Sequence, residues 1–246
     1  MSQVASFTFH GSLQDFLKPS MRHKPVSYTF TGTPAVKDAI EAIGVPHPEV
    51  AFILKNGVPV RFSEPLHPQD TLHIYPVDSE EAPTARHALV DIPPRPIKFI
   101  LDVHLGTLAK ALRMLGFDTV YEKQLDDAEI AAIAAAEHRI VLTRDVGLLK
   151  HRIVKHGYWL RSQKTAEQLQ EVIKRYNLTE EFTPFMRCLR CNSLVEAVAK
   201  EQVLHRLPPK TRLYFNEFYL CAACDKVYWK GSHYEHMKSV VDRIKN

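Results

Sequence analysis

The chain has 246 residues, 45% of them hydrophobic and 24% charged, with a formal net charge of +4. Such a composition is that of an ordinary globular protein and excludes wholesale disorder. The longest wholly apolar run, Ile130 to Ala136, is far too short to cross a bilayer, and no basic segment leading into an apolar one opens the chain, so a cytoplasmic protein with no membrane partner is expected.

Val4 to Phe9 alternates apolar and small polar residues, and Val26, Tyr28 and Phe30 do the same, which predicts two strands. Val36, Ala39, Ile40 and Ile43 then fall on one helical face, with Gly44 placed to end the helix. Strands follow over Val50 to Leu54 and Thr71 to Val77, with a hairpin turn at Asn56-Gly57. Strand, strand, helix and further strands describe a β-grasp over residues 1–78. It resembles the ubiquitin-like domains, in particular the branch related to small sulfur carriers. Those carriers act through an exposed C-terminal Gly-Gly, which the run Leu72 to Pro76 lacks, so a carrier role is disfavoured and a protein-interaction or substrate-presenting role is expected.

Residues 79–96 contain Pro83, Pro93, Pro94 and Pro96 and no apolar period, and read as a linker. The pattern then changes over residues 97–182. Ile97 to Leu101 is an apolar strand ending at Asp102. Leu105, Leu108, Ala109, Leu112 and Leu115 mark a helix closed by Gly116. Thr119 to Tyr121, Arg139 to Thr143 and Tyr158 to Leu160 are candidate strands, and helices are expected over Ala128 to Glu137 and Thr165 to Tyr176. Alternating strands and helices predict an α/β domain with a parallel sheet.

Residues 183–246 carry all four cysteines of the chain. Cys188 and Cys191 are separated by two residues, as are Cys221 and Cys224, with 29 residues between the pairs. Two thiolates from one such turn reach the same tetrahedral ion, and two turns complete the shell, so one structural Zn2+ is expected. Free or redox-active thiols are the alternative. In so short a segment a metal supplies folding energy that a small core cannot. The same residues hold 11 Lys and Arg against 6 Asp and Glu. That suits nucleic-acid phosphates but reads more simply as solvated surface. Tyr228 and Trp229 either pack beside the metal or stack on bases, with Arg187, Arg190, Lys226 and Lys230 available to hold a strand.

Asp102, the pair Asp126 and Asp127, and Asp145 stand at the ends of predicted strands or starts of predicted helices. In parallel sheets, functional groups gather beyond the carboxyl ends of strands, and carboxylates gathered together call for a divalent cation. Three of them also have a plainer reading. Asp126 with Glu129 forms a capping-box pattern and is better read as a cap, Asp127 suits the first-turn dipole, and Asp145 can cap a helix starting at Val146.

The run Phe99 to Asp118 (FILDVHLGTLAKALRMLGFD) resembles the opening of the Mut-seven C-terminal RNase family, which belongs to the PIN-like nucleases. LDDAEI at 125–130 and VLTRDVGLL at 141–149 resemble its later motifs, and FMRCLRCN at 185–192 and DKVYWKGSHY at 225–234 its attached zinc ribbon. The resemblance spans roughly residues 97 to 240, and the first 78 residues are similar to the ubiquitin-like domain often fused to that family. It implies a PIN-like nuclease domain over 97–182, a zinc ribbon over 183–246, and hydrolysis of RNA phosphodiester bonds with catalytic Mg2+ or Mn2+. Carried over, Asp102 and Asp145 are metal-binding acids and Asp127 the third, with Asp126 as the substitute. Thr143 and Arg144 orient the cluster or contact phosphate. Arg113 faces the substrate or is a surface arginine. The alternative is a non-catalytic RNA- or ribosome-binding protein, and the sequence leaves the oligomeric state open.

Overall fold

The computed structural model describes residues 2–77, 89 and 92–245. Most of the predicted linker, 79–96, lies outside these residues. The chain divides into two compact units, one built from residues 1–95 and 125–159, the other from 96–124 and 160–246.

In the first unit, β1 (Gln3–Phe9) pairs antiparallel with β2 (Val26–Phe30) and parallel with β5 (Thr71–Pro76). β5 pairs antiparallel with β3 (Val50–Lys55), which continues into β4 (Val58–Pro59), giving the strand order β2-β1-β5-β3-β4. Asn56 and Gly57 both have positive φ, as the tight turn between β3 and β4 requires. Helix α1 (Val36–Ile43) presents Val36, Ala39 and Ile40 to this sheet, where Phe7, Ile53, Leu72 and Ile74 are fully buried. Alternation in β1 and β5 places every second side chain in this core, which is why period-two patterning predicts them. This is the β-grasp.

The later residues of the first unit form α3 (Asp127–Glu137), β8 (Ile140–Thr143), the short α4 (Val146–Leu149) and β9 (Gly157–Trp159). All four residues of β8 are buried, as expected of a parallel strand covered on both faces. β8 runs parallel to β9, with Thr143 opposite Trp159. α3 packs on β8 through Ile130, Ala131 and Ala134.

In the second unit, β6 (Lys98–Leu101) runs parallel to β7 (Asp118–Val120), joined by α2 (Gly106–Met114). α2 packs against α5 (Thr165–Tyr176). After α2 the chain turns at Gly116, whose φ of +102° and close approach to Thr183 exclude a side chain; an added Cβ would fall 2.2 Å from Thr183 Oγ1. The C-terminal part has an antiparallel sheet, β10 (Glu196–Val198), β11 (Phe218–Cys221) and β12 (Lys226–Trp229). Between β10 and β11 the chain forms α6 (Lys200–Val203) and α7 (Pro209–Tyr214), and α8 (Ser232–Lys245) closes it. These three helices have no counterpart in the sequence-based reading. Val203, Leu207 and Phe218 form a small core there, with Trp229 packed against it.

Candidate functional site

The two cysteine turns are built alike. Asn192 N donates to Cys188 O at 2.9 Å, and Asp225 N donates to Cys221 O at 2.8 Å. Asn192 and Asp225 have φ of 73° and 61°, a conformation that Asn and Asp tolerate better than most residues. Each turn directs its two thiols to the same point. Cys188 Sγ lies 3.5 Å from Cys224 Sγ and Cys191 Sγ lies 3.3 Å from Cys221 Sγ, so each close pair joins one turn to the other. All four sulfurs lie within 4.8 Å of one another. A tetrahedral ion with metal–sulfur bonds of about 2.3 Å needs sulfurs about 3.8 Å apart. The four cysteines could therefore hold a metal ion such as zinc.

The electrostatics of the thiols are uneven. Burial pushes Cys191 up, but hydrogen bonding with Ser193 and with the Cys221 and Cys224 thiols outweighs it and brings its pKa down to about 6. Burial and then the neighbouring thiols push Cys224 up to about 12, and burial also raises Cys221. Tyr228 Oη lies 3.1 Å from Cys188 Sγ and accepts from Leu189 N at 3.1 Å. Tyr228 and Trp229 thus both serve the packing of this part of the chain.

Arg113 is not a surface residue. It is 4% exposed; Nε donates to Thr119 O at 3.0 Å, and Nη1 donates to Leu189 O at 3.2 Å and Arg190 O at 3.0 Å. Burial draws its pKa down, opposed by the negative potential of Cys191, Cys188 and Asp118. It also lines a cavity of about 260 Å³ together with Tyr121, Glu122 and Arg190. Two more residues fasten the same turn. Asn192 Nδ2 donates to Asp118 Oδ1 at 2.7 Å while its Oδ1 accepts from Thr119 N, and Arg187 Nε donates to Gly116 O. Neither role was visible in the sequence, because each partner lies more than seventy residues away.

The acidic residues divide between the units. In the second, Asp102 follows β6, is 9% exposed, and accepts from His104 N through Oδ1. The turn behind it is pinned by Tyr121 Oη, which donates to Val103 O at 2.8 Å. In the first, Asp126 accepts from Glu129 N through Oδ1, and Glu129 Oε2 accepts from Asp126 N; this is the capping box that the spacing predicts. Asp127, the first residue of α3, is exposed. Asp145 is also exposed and caps α4, its Oδ1 accepting from Gly147 N at 2.6 Å. Thr143 is fully buried, and its hydroxyl oxygen accepts from Asp145 N at 2.8 Å. The Arg144 carbonyl accepts from Trp159 Nε1 at 3.0 Å. Thr143 and Trp159 therefore hold the two ends of one peptide group, the one that joins Arg144 to Asp145.

Among the described residues, no helix is long and apolar enough to cross a membrane. The family model for the Mut7-C RNAse domain matches residues 97–241, and that for the Mut7-C ubiquitin domain matches residues 2–82. No curated protein matches the chain, and no solved structure does.

Proposed function

The chain belongs to the Mut7-C RNAse domain family, and from that membership we propose that it is a cytoplasmic metal-dependent ribonuclease that hydrolyses RNA phosphodiester bonds. The observation that carries this reading is the extent of the match, which takes in the Asp102, Asp127 and Asp145 motifs and all four cysteines. We divide the chain into a β-grasp domain (1–78), a linker (79–96), a PIN-like nuclease domain (97–182) and a zinc ribbon (183–246).

Asp102, Asp127 and Asp145 are the acids we assign to Mg2+ or Mn2+, since hard carboxylate oxygens suit these cations. Asp126 is the weaker choice, because its carboxylate is occupied in the capping box. Asp145 engages Oδ1 with Gly147 N, so Oδ2 is the atom we assign to the cation. Held by these acids, such a cation would supply positive charge to activate water for in-line attack at phosphorus and to offset charge on the phosphate oxygens. Thr143 holds the Asp145 backbone, and Arg144, its chain neighbour, is the residue we assign to a phosphate. Arg113 is assigned to the substrate side only through the cavity it lines; its guanidinium serves the cysteine turn first. The cysteine centre, closed by four protein ligands, holds one structural Zn2+ and takes no part in the chemistry. RNA is the proposed partner, and the β-grasp domain the proposed site of any protein partner.

The test is purified full-length protein with labelled RNA in Mn2+ or Mg2+, beside Asp102→Asn and Asp145→Asn. Cleavage is expected in the wild type and a loss of about a hundredfold or more in each variant. Cleavage that survives in both would sink the assignment of the acids. Binding without cleavage across several RNA types would favour the non-catalytic RNA- or ribosome-binding reading.

A further inference from the structure

The β-grasp fold reaches the segment that carries Asp145, and one side chain makes the connection. Trp159, the last residue of β9, is held from two sides. Its backbone N–H donates to Glu49 Oε1 at 2.7 Å, and its indole Nε1–H donates to Arg144 O at 3.0 Å. Glu49 precedes β3 and is 1% exposed, and the Phe16 ring lies against the indole with centroids 5.2 Å apart. Trp159 thus joins a buried carboxylate of the β-grasp fold to the carbonyl immediately before Asp145.

This contact is part of a wider seat. His47 is bound through Nδ1 to Glu41 Oε1 at 2.6 Å and through Nε2 to Val154 O at 2.8 Å; a carbonyl only accepts, so Nε2 carries a proton. Lys150 Nζ donates to Glu41 O at 2.7 Å. These groups lie more than a hundred residues apart in sequence, and all are buried or partly buried. A tethered domain with its own separate task would not need buried carboxylate, imidazole and ammonium contacts to the α4–β9 region.

The arrangement has a consequence for the loop. Asp145 N is held by Thr143 Oγ1, Gly147 N by Asp145 Oδ1, and the carbonyl between Thr143 and Asp145 by the indole. Removing the indole N–H takes that donor from the carbonyl and loosens the peptide that leads into Asp145, whose N–H Thr143 still holds. Small displacements of a group that must meet a reacting centre are costly.

We propose that Trp159 is a positioning residue for Asp145 and that the β-grasp domain, through Glu49 and Phe16, is a fixed buttress of the Thr143-Arg144-Asp145 loop. The proposal rests on the nuclease reading for its effect on catalysis, but not for its effect on the loop.

The experiment compares full-length wild type with Trp159→Phe, which keeps a ring against Phe16 and loses the N–H, and with Glu49→Ala and Glu49→Gln. Two quantities are measured: amide hydrogen exchange in the metal-free protein, and kcat and KM for RNA cleavage in Mn2+. For Trp159→Phe, exchange at Asp145 and Gly147 should rise about tenfold, with β3 and β5 unchanged. Its kcat should fall about tenfold, with KM within about twofold. Glu49→Ala should behave alike and also expose the Trp159 amide, whereas Glu49→Gln, which keeps an acceptor oxygen, should stay near wild type. Unchanged exchange at Asp145 and Gly147 in Trp159→Phe overturns the proposal, and so does faster exchange spread evenly through β3 and β5. If the wild type cleaves no RNA with any metal, the nuclease reading fails, and the exchange data alone decide the positioning.

Discussion

Arg113 Nη1 donates to the carbonyl of Arg190 at 3.0 Å, so the helix that follows Asp102 and the first cysteine turn share one buried cation. The same guanidinium reaches Leu189 O and Thr119 O. A planar fork of donors fits three carbonyls at once, which an ammonium on a flexible stem does not.

Replacing this residue should therefore be costly in a way that a surface arginine is not. Arg113→Met leaves three carbonyls without their donor and should destabilise the fold by about 3 kcal/mol. Arg113→Lys should recover less than half of that loss. Urea denaturation of the full chain measures both. A cost for Arg113→Met within about 0.5 kcal/mol would contradict the role drawn from its contacts.

Metal removal gives a second prediction. Dialysis against a strong chelator should release one zinc ion per chain and raise hydrogen exchange throughout 183–245, because the core of Val203, Leu207 and Phe218 is small. Cys221→Ser should have the same effect without a chelator. Elemental analysis showing no bound metal in freshly purified protein would remove the zinc assignment.

Asp126 and Asp127 are neighbours with opposite expected behaviour. Asp126→Ala breaks the capping box and should cost about 1 kcal/mol of stability while leaving most RNA cleavage in place. Asp127→Asn should change stability by less than about 0.5 kcal/mol, as exposed positions usually do, and remove most cleavage. Measuring both properties on both variants separates cap from ligand. The reverse pattern would exchange their roles.

Acid sensitivity of the β-grasp fold should be traceable to Asp70. Burial alone would raise its pKa, but the His67 backbone N–H at 2.8 Å, the Asn56 amide at 2.7 Å and the Lys55 charge hold it below the usual value. A carboxyl depressed in the folded state contributes stability that is present above its unfolded pKa of about 3.9 and is lost as pH falls through the lower folded value. The urea midpoint should therefore fall with acidification below about pH 4, and Asp70→Asn should lower the midpoint at pH 6 while flattening its fall toward pH 3. A variant that keeps the wild-type slope would assign the acid sensitivity to other groups.

Patterns that repeat over a few residues were legible before any coordinates. Alternation in Val4 to Phe9 becomes β1, the apolar face from Val36 to Ile43 becomes α1, and Thr165 to Tyr176 is helical over the residues predicted. Asp126 with Glu129, Asn56-Gly57 and the paired cysteines are equally local, since each motif is written in a few neighbouring residues. The helices α6, α7 and α8 were not legible as elements. α6 and α7 are too short for helical periodicity to register: α6 contributes only Val203 to the core beside Phe218, and Leu213 and Tyr214 of α7 are exposed.

Sequence alone determined the β-grasp, the α/β strands and helices, the family and the four-cysteine set, because each rests on short-range spacing or on motifs that recur as a group. Only the tertiary structure decided what Arg113, Asn192 and Trp159 do. Their partners are backbone carbonyls, two carboxylates and a backbone N–H, and most lie tens of residues to more than a hundred residues away. A carbonyl leaves no mark in sequence, since every residue carries one. Which carbonyl a buried cation or an indole N–H meets is settled by packing, and that is where the cysteine turn acquires its arginine and the Asp145 loop its tryptophan.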